Sequence, residues 1–183
     1  MAANKNLAEA QYNLGSIYFN NIGIAKDIKR AIYYYTLAAN QNNSDAQFVL
    51  GLIYYLNKDI KKAMHYLLLS SKQNNKNAYF FLGLIYLDVN KGYNIKDVDK
   101  GILYYSLAAD LHHQDAQYVL GVIYLQGMYI PKNVNKAIYY LSMAAHKNHS
   151  NALLYLASIE YDRKYIYRSA LNGNIEANFI LGF

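Results

Sequence analysis

Tyrosine is the side chain here with the most scope for chemistry, with 22 in 183 residues. Several stand in runs: Tyr33 to Tyr35, Tyr104 with Tyr105, Tyr139 with Tyr140. Rings repeated along a chain can stack on bases or sugars. His112, His113, His146 and His149 cluster closely enough to raise a metal site. Lysine and arginine outnumber the acids 18 to 12, giving a net charge of +6, and a basic excess invites nucleic acid or another anionic partner. Against these stand several absences. No carboxylate pair, Ser-His-Asp set or glycine-rich phosphate loop occurs in a coherent context. The chain has no cysteine, which removes disulfides, thiolate zinc sites and thiol nucleophiles together. The expectation is a protein that is not an enzyme, with no catalytic, cofactor-binding or metal-ligating residues.

The elements that position these residues decide between chemistry and packing. An apolar fraction of 54% with a single proline points to long helices around a substantial core. One nine-residue segment returns along the chain as AQYNLGSIY from Ala10, AQFVLGLIY from Ala46, AYFFLGLIY from Ala78 and AQYVLGVIY from Ala116. ALLYLASIE from Ala152 is a degraded copy, and ANFILGF from Ala177 opens another. A second segment follows each of the first four copies. It reads as a basic residue, Ala or Gly, then Tyr34, Tyr66, Tyr104 or Tyr140, then a small pair such as Ala38-Ala39.

Spacing separates what is fixed from what is free. The second segment always leads to the next first segment by the same interval: Ala31 to Ala46, Ala63 to Ala78, Gly101 to Ala116, Ala137 to Ala152. The interval inside a repeat varies, so that loop lies on the surface while the turn between repeats is set by packing. Each repeat is therefore a pair of helices, A and B, which must stack on neighbours to bury its apolar faces. Helix A carries anchors at its first, fifth, eighth and ninth positions, on one face of a helix. The recurring LG places a small residue where two helices approach. Asp27, Asp59, Asp97 and Asn133 precede helix B as N-caps. The strict recurrence of Tyr34, Tyr66, Tyr104 and Tyr140 marks them as packing residues, and Tyr33, Tyr35, Tyr105 and Tyr139 as their exposed neighbours. The cations Lys26, Lys29, Arg30, Lys58, Lys61, Lys62, Lys96, Lys100, Lys132 and Lys136 gather at the starts of helix B, and a solvated edge is the expected reading.

The pattern A-x3-LG-x2-Y, variable loop, [KR]-A-x2-[WY]-x3-A-A resembles the Sel-1-like repeat, a relative of the tetratricopeptide repeat. The resemblance covers Ala10 to Phe183. It implies an all-α, right-handed superhelical solenoid of antiparallel helix pairs, with helix A on the concave side. His113 and His149 sit where that family commonly has His in the turn between repeats, and Asn43 and Asn75 hold the same place in other copies, so no metal is required there. Three departures stand out: Tyr for the family's frequent Trp, Ser70-Ser71 for Ala-Ala, and a shortened fifth repeat.

A single repeat domain over 1–183 is expected, with repeats at 8–43, 44–75, 76–113 and 114–149, a shortened one at 150–174, and a first helix at 175–183. The expected function is a non-catalytic scaffold that holds a peptide or helix of a partner protein on the concave face. Val49, Leu52, Phe81, Leu84, Val119 and Val122 on helix A, with Tyr33 and Tyr35 on helix B, are the candidate contacts. The alternatives are an RNA-binding solenoid using the basic edge, and a regulatory array fused to a catalytic domain such as a kinase; the apolar ends suggest part of a longer chain. No signal peptide or membrane span is recognised, so the expected location is intracellular and cytoplasmic.

Overall fold

The computed structural model describes residues 2–23, 25–87, 97–160 and 162–182, with side chains from Leu7 onward. Among them the regular structure is helical: α1 (Ala2–Asn20), α2 (Ile28–Asn40), α3 (Ser44–Leu56), α4 (Ile60–Ser71), α5 (Lys76–Leu87), α6 (Val98–Asp110), α7 (Gln114–Gln126), α8 (Val134–His146), α9 (Ser150–Glu160), α10 (Arg163–Leu171) and α11 (Ile175–Leu181). They gather into two compact units: an N-terminal one holding α1 to α4 with α5 through Ile85, and a C-terminal one holding Tyr86, Leu87 and α6 to α11. No helix among the described residues is long and apolar enough to cross a membrane.

Within a hairpin the two helices run antiparallel. Ser70, near the end of α4, donates its hydroxyl to the carbonyl of Ser44, the first residue of α3, at 2.8 Å. Ser169 of α10 reaches the carbonyl of Ser150, which opens α9, over the same distance. Serine in the small-small pair is thus a buried clasp between the two ends of a hairpin.

Side-chain size explains the close approach of the helices. A Cβ added to Gly51 of α3 would meet Leu67 Cγ of α4 at 2.7 Å, and one added to Gly121 of α7 would meet Leu141 Cγ of α8 at 2.6 Å. The glycine of LG is where helix B lies on helix A. In the N-terminal unit Ala31, Tyr35, Ala38, Ala39, Ala46, Leu50 and Ile53 form a buried cluster. In the C-terminal unit Leu141, Ala144, Ala145, Ala152, Leu153 and Leu156 do the same. Burying one such leucine contributes about 1.5–3 kcal/mol.

The turns between repeats share one backbone device. Asn42, Asn74, His112 and Asn148 have φ of 62°, 58°, 59° and 61°, and Gly173 has 81°. The left-handed region suits Asn and Gly, because asparagine's short amide bonds locally and glycine lacks a Cβ. The next residue caps the following helix: Asn43 accepts from the amide of Ala46, His113 from Ala116, His149 from Ala152 and Asn174 from Ala177. One left-handed residue and one cap thus account for the constant interval seen in the sequence.

The four predicted helix-B caps form as expected. Asp27, Asp59, Asp97 and Asn133 each accept a backbone N–H three residues on. In the fifth repeat the cap is Asp162, at the place that Ala31 holds in the first. α10 has therefore lost its opening turn, with 9 residues against 13 in α2, which gives the shortened hairpin a physical form.

Candidate interaction surface

The recurrent tyrosines build a clip at the mouth of each of the first four hairpins. Tyr18 stacks on Tyr34 with ring centroids 5.7 Å apart and planes 4° from parallel. Tyr54 and Tyr66, Tyr86 and Tyr104, and Tyr124 and Tyr140 stack in the same way at 5.7, 5.6 and 5.8 Å. A cation lies over each helix-A ring: Arg30 on Tyr18, Lys62 on Tyr54, Lys100 on Tyr86 and Lys136 on Tyr124, at 5.1 to 5.6 Å. The first three cations also pair with the cap carboxylate, Arg30 to Asp27, Lys62 to Asp59 and Lys100 to Asp97. These groups are largely exposed, so each pair contributes little to stability. The chemical consequence is a cation whose charge is met from inside the fold by a carboxylate and a ring face. Hydrogen bonds from the Lys62 and Lys100 side chains hold Asp59 and Asp97 below the usual carboxylate range; for Asp59 the Lys62 amide acts more strongly still. Lys26 sits over Phe19 at 5.3 Å; Lys96 lies outside the described residues.

Two of the four clustered histidines resolve as caps. His113 and His149 offer Nδ1 to the amides of Ala116 and Ala152 at 3.3 and 3.2 Å, the task Asn43 and Asn174 perform elsewhere. His149 also places Nε2 3.4 Å from Asp115 Oδ1 and stacks on Tyr118 at 4.5 Å. Burial pushes its pKa below the usual histidine value, against the smaller opposing pull of Asp115. Asparagine and histidine interchange here because each offers an acceptor at the same reach.

One expectation about helix B is overturned. Tyr35, grouped in sequence with the exposed neighbours, is 2% exposed. Its ring lies on Gly15, and its hydroxyl donates to Ser16 Oγ at 3.2 Å. Tyr105 is likewise buried, at 5%. Both occupy the place held by Leu67 and Leu141, which faces the glycine of helix A. The half-buried partner is Tyr34, not Tyr35. Tyr33 and Tyr139 do lie in solvent, each 59% exposed and packed edge-on against Tyr34 and Tyr140 at 5.3 and 5.1 Å.

The helix-A candidates are all half-buried. In the N-terminal unit Val49 packs on the core cluster, and Leu52 and Leu84 keep part of their surface in water. The Phe81 ring meets Phe48 at 5.8 Å and Tyr55 at 5.7 Å, so much of its surface is already used within the unit. In the C-terminal unit Val119 and Val122 are half-buried on α7. A cavity of about 760 Å³ opens in the N-terminal unit beside Glu9, Tyr12, Asn13, Asn43 and Asp45. Sequence patterning gave no sign of it, because its polar lining combines mid-helix residues of α1 with the turn and start of α3.

Comparison with known proteins agrees with the repeat architecture. The Sel1 repeat pattern matches residues 8–43, 44–75, 76–113 and 114–149. A Sel1 repeat protein from Oxalobacter formigenes superposes with a TM-score of 0.83 at 29% identity, over 98% of this chain and 76% of that one. A protective antigen present in uropathogenic Escherichia coli strains, displaying an SLR fold, gives 0.86 at 25% identity over 99% of this chain and 42% of that one. Helicobacter pylori cysteine rich protein B gives 0.53 at 29% identity over 69% of this chain and 92% of that one; the present chain has no cysteine. No curated protein matches it in sequence by the same standard. Sel1 repeats generally serve as protein-interaction scaffolds and are typically non-catalytic. With four of its repeats matched, an all-helical fold and solenoid relatives along its whole length, the chain belongs to the Sel1 repeat family.

Proposed function

We propose that this chain is a non-catalytic scaffold that holds a peptide or helix of a partner protein on its helix-A surface. The observation that carries this reading is the set of apolar residues that hairpin packing leaves half in water: Leu52 and Leu84 in the N-terminal unit, Val119 and Val122 in the C-terminal one. Within each unit, half-buried apolar side chains on an A helix are the kind of surface on which an amphipathic helix or an extended peptide docks. Val49 and Phe81 border that surface but are engaged with the unit's own core and rings, so they shape it more than they offer new contact. Three of the four clip cations already pair with a cap carboxylate, which favours this reading over RNA binding at the basic edge.

The test is affinity capture with Leu84→Glu plus Val122→Glu, beside wild type and a Lys72→Ala control at an exposed residue outside the candidate contacts. Proteins retained by wild type and the control but lost by the double variant, with helical circular dichroism unchanged, support the helix-A surface. Equal recovery by the folded double variant removes it.

A further inference from the structure

The caps between repeats also reach backwards. Asn75 caps α5 by accepting from the Ala78 amide, and its Nδ2 donates to Asp45 Oδ1 of the preceding helix A at 3.1 Å. His149 and Asp115 form the same rung at 3.4 Å, and Asn174 donates to Asn151 Oδ1 at 2.8 Å. Between the first two repeats the rung is empty. Its ends are Asn43 and Glu9; Asn43 caps Ala46 through Oδ1, yet Glu9 has no hydrogen-bond or ion-pair partner among the described residues. Both residues line the cavity of about 760 Å³ in the N-terminal unit.

The balance of groups at the cavity wall favours acceptors. Gln41 spends both hydrogens of its amide inside the fold, on Gln11 Oε1 at 2.6 Å and on the Leu37 carbonyl at 3.2 Å. Gln73 gives one of its own to Gln47 Oε1 at 2.8 Å. The lining holds the carboxylates of Glu9 and Asp45 and no lysine, arginine or histidine, in a chain whose net charge is +6. Two carboxylates repel an anion and leave a neutral occupant's own acceptors facing theirs. Tyr12, tilted on Tyr35 with centroids 5.7 Å apart, adds an aromatic ring to the wall. A guanidinium answers each of these groups. It has five donors and no acceptor, a planar fork that matches a carboxylate, and a face that stacks on a ring. An ammonium has neither fork nor face and holds its water more strongly.

We propose that this cavity receives an arginine side chain of a partner peptide, its guanidinium held by the carboxylates of Glu9 and Asp45 and its plane set against Tyr12. The assignment rests on the reading of the chain as a peptide-binding scaffold. It uses neither residue changed in the capture test, so each can fail while the other stands.

The experiment titrates the full chain at low salt with acetyl-Ala-Arg-Ala-amide and follows the side-chain amide resonances of Asn13 and Asn43. Two matched probes replace arginine by citrulline, which keeps the shape and removes the charge, and by lysine, which keeps the charge and removes the fork. Expected are saturable shifts at both amides, with each matched probe weaker by about tenfold, the loss that follows removal of a charge-assisted bond. Glu9→Gln and Asp45→Asn should each weaken the arginine peptide by a similar factor. Asp45→Asn keeps an acceptor for Asn75, as Asn151 does for Asn174, and Glu9 lies exposed on α1. Absence of saturable shifts at millimolar peptide, equal affinity of the citrulline probe, or unchanged binding by both variants would each overturn the proposal. Equal affinity of the lysine probe would overturn the assignment to a guanidinium. Should either variant not fold, the matched probes on wild type still decide the matter.

Discussion

Tyr35 lies directly on Gly15: a Cβ built on the glycine would stand 2.7 Å from the ring's Cδ1, inside any tolerable contact. Leu67 stands in the same relation to Gly51, and Leu141 to Gly121. A tyrosine and a leucine serve one slot because the glycine beneath sets how close the helices come, and the side chain above fills what remains.

Alanine at Gly51 should therefore destabilise the N-terminal unit. Helix propensity favours alanine by up to about 1 kcal/mol, but the new methyl also meets the Leu67 backbone nitrogen at 3.2 Å. Overpacking of this kind costs about 1–3 kcal/mol. A net loss of about 1 kcal/mol in urea unfolding is expected, with Gly51→Ala and Leu67→Ala non-additive because truncating Leu67 makes room.

His149 makes stability depend on pH in a definite direction. Its folded pKa lies below the usual value, so the unfolded chain binds the proton more readily. Its contribution is complete above about pH 6.5 and falls as the pH drops through that value toward the folded pKa. Nδ1 must stay unprotonated to accept the Ala152 amide. His149→Asn keeps an acceptor at that reach, as Asn43 shows, and should flatten thermal stability between pH 7 and pH 5. Identical pH profiles for wild type and variant would count against the cap.

The left-handed turn makes opposite predictions for two small residues. Asn42 has a φ of 62°. Asn42→Ala should cost about 1 kcal/mol through its Cβ, whereas Asn42→Gly should be neutral or slightly stabilising. Equilibrium unfolding of the pair checks the sign directly.

The clip at Asp59 should show in acid and in salt. Lys62 holds the Asp59 carboxyl below its usual range, so its contribution is present above about pH 3.9 and is lost as the pH falls through the folded value. Asp59→Asn keeps an amide cap, as Asn133 does in the fourth repeat, and removes the ion pair. The variant should lose part of the acid dependence and part of the salt dependence of melting.

Much of the fold was legible because repetition averages out local noise. The anchors Ala46, Leu50 and Ile53 all proved buried, and the predicted Asp and Asn caps formed. The error at Tyr35 has a plain cause. Recurrence of an aromatic drew attention to Tyr34, yet the stripe at helical spacing is Ala31, Tyr35, Ala38, which leaves Tyr34 turned to the side. That spacing was present in the sequence and outranked residue identity as a signal. The histidine caps were legible only as turn residues, since Nδ1 acceptance needs backbone geometry to be seen. The empty rung between Glu9 and Asn43 could not be read at all. It depends on where two side chains end, and no periodicity encodes that.

The turn that joins one hairpin to the next has a consequence for ancestry. A left-handed residue followed by a cap recurs at Asn42-Asn43, His112-His113, Asn148-His149 and Gly173-Asn174, with φ of 59° to 62° at the first three and 81° at Gly173. Those junctions are seams at which gene segments could be cut and rejoined in whole cassettes, every product keeping its reading of helix against helix. Lengthening by duplication and shortening by deletion would then cost the fold little, and the number of repeats becomes a quantity that selection can adjust freely.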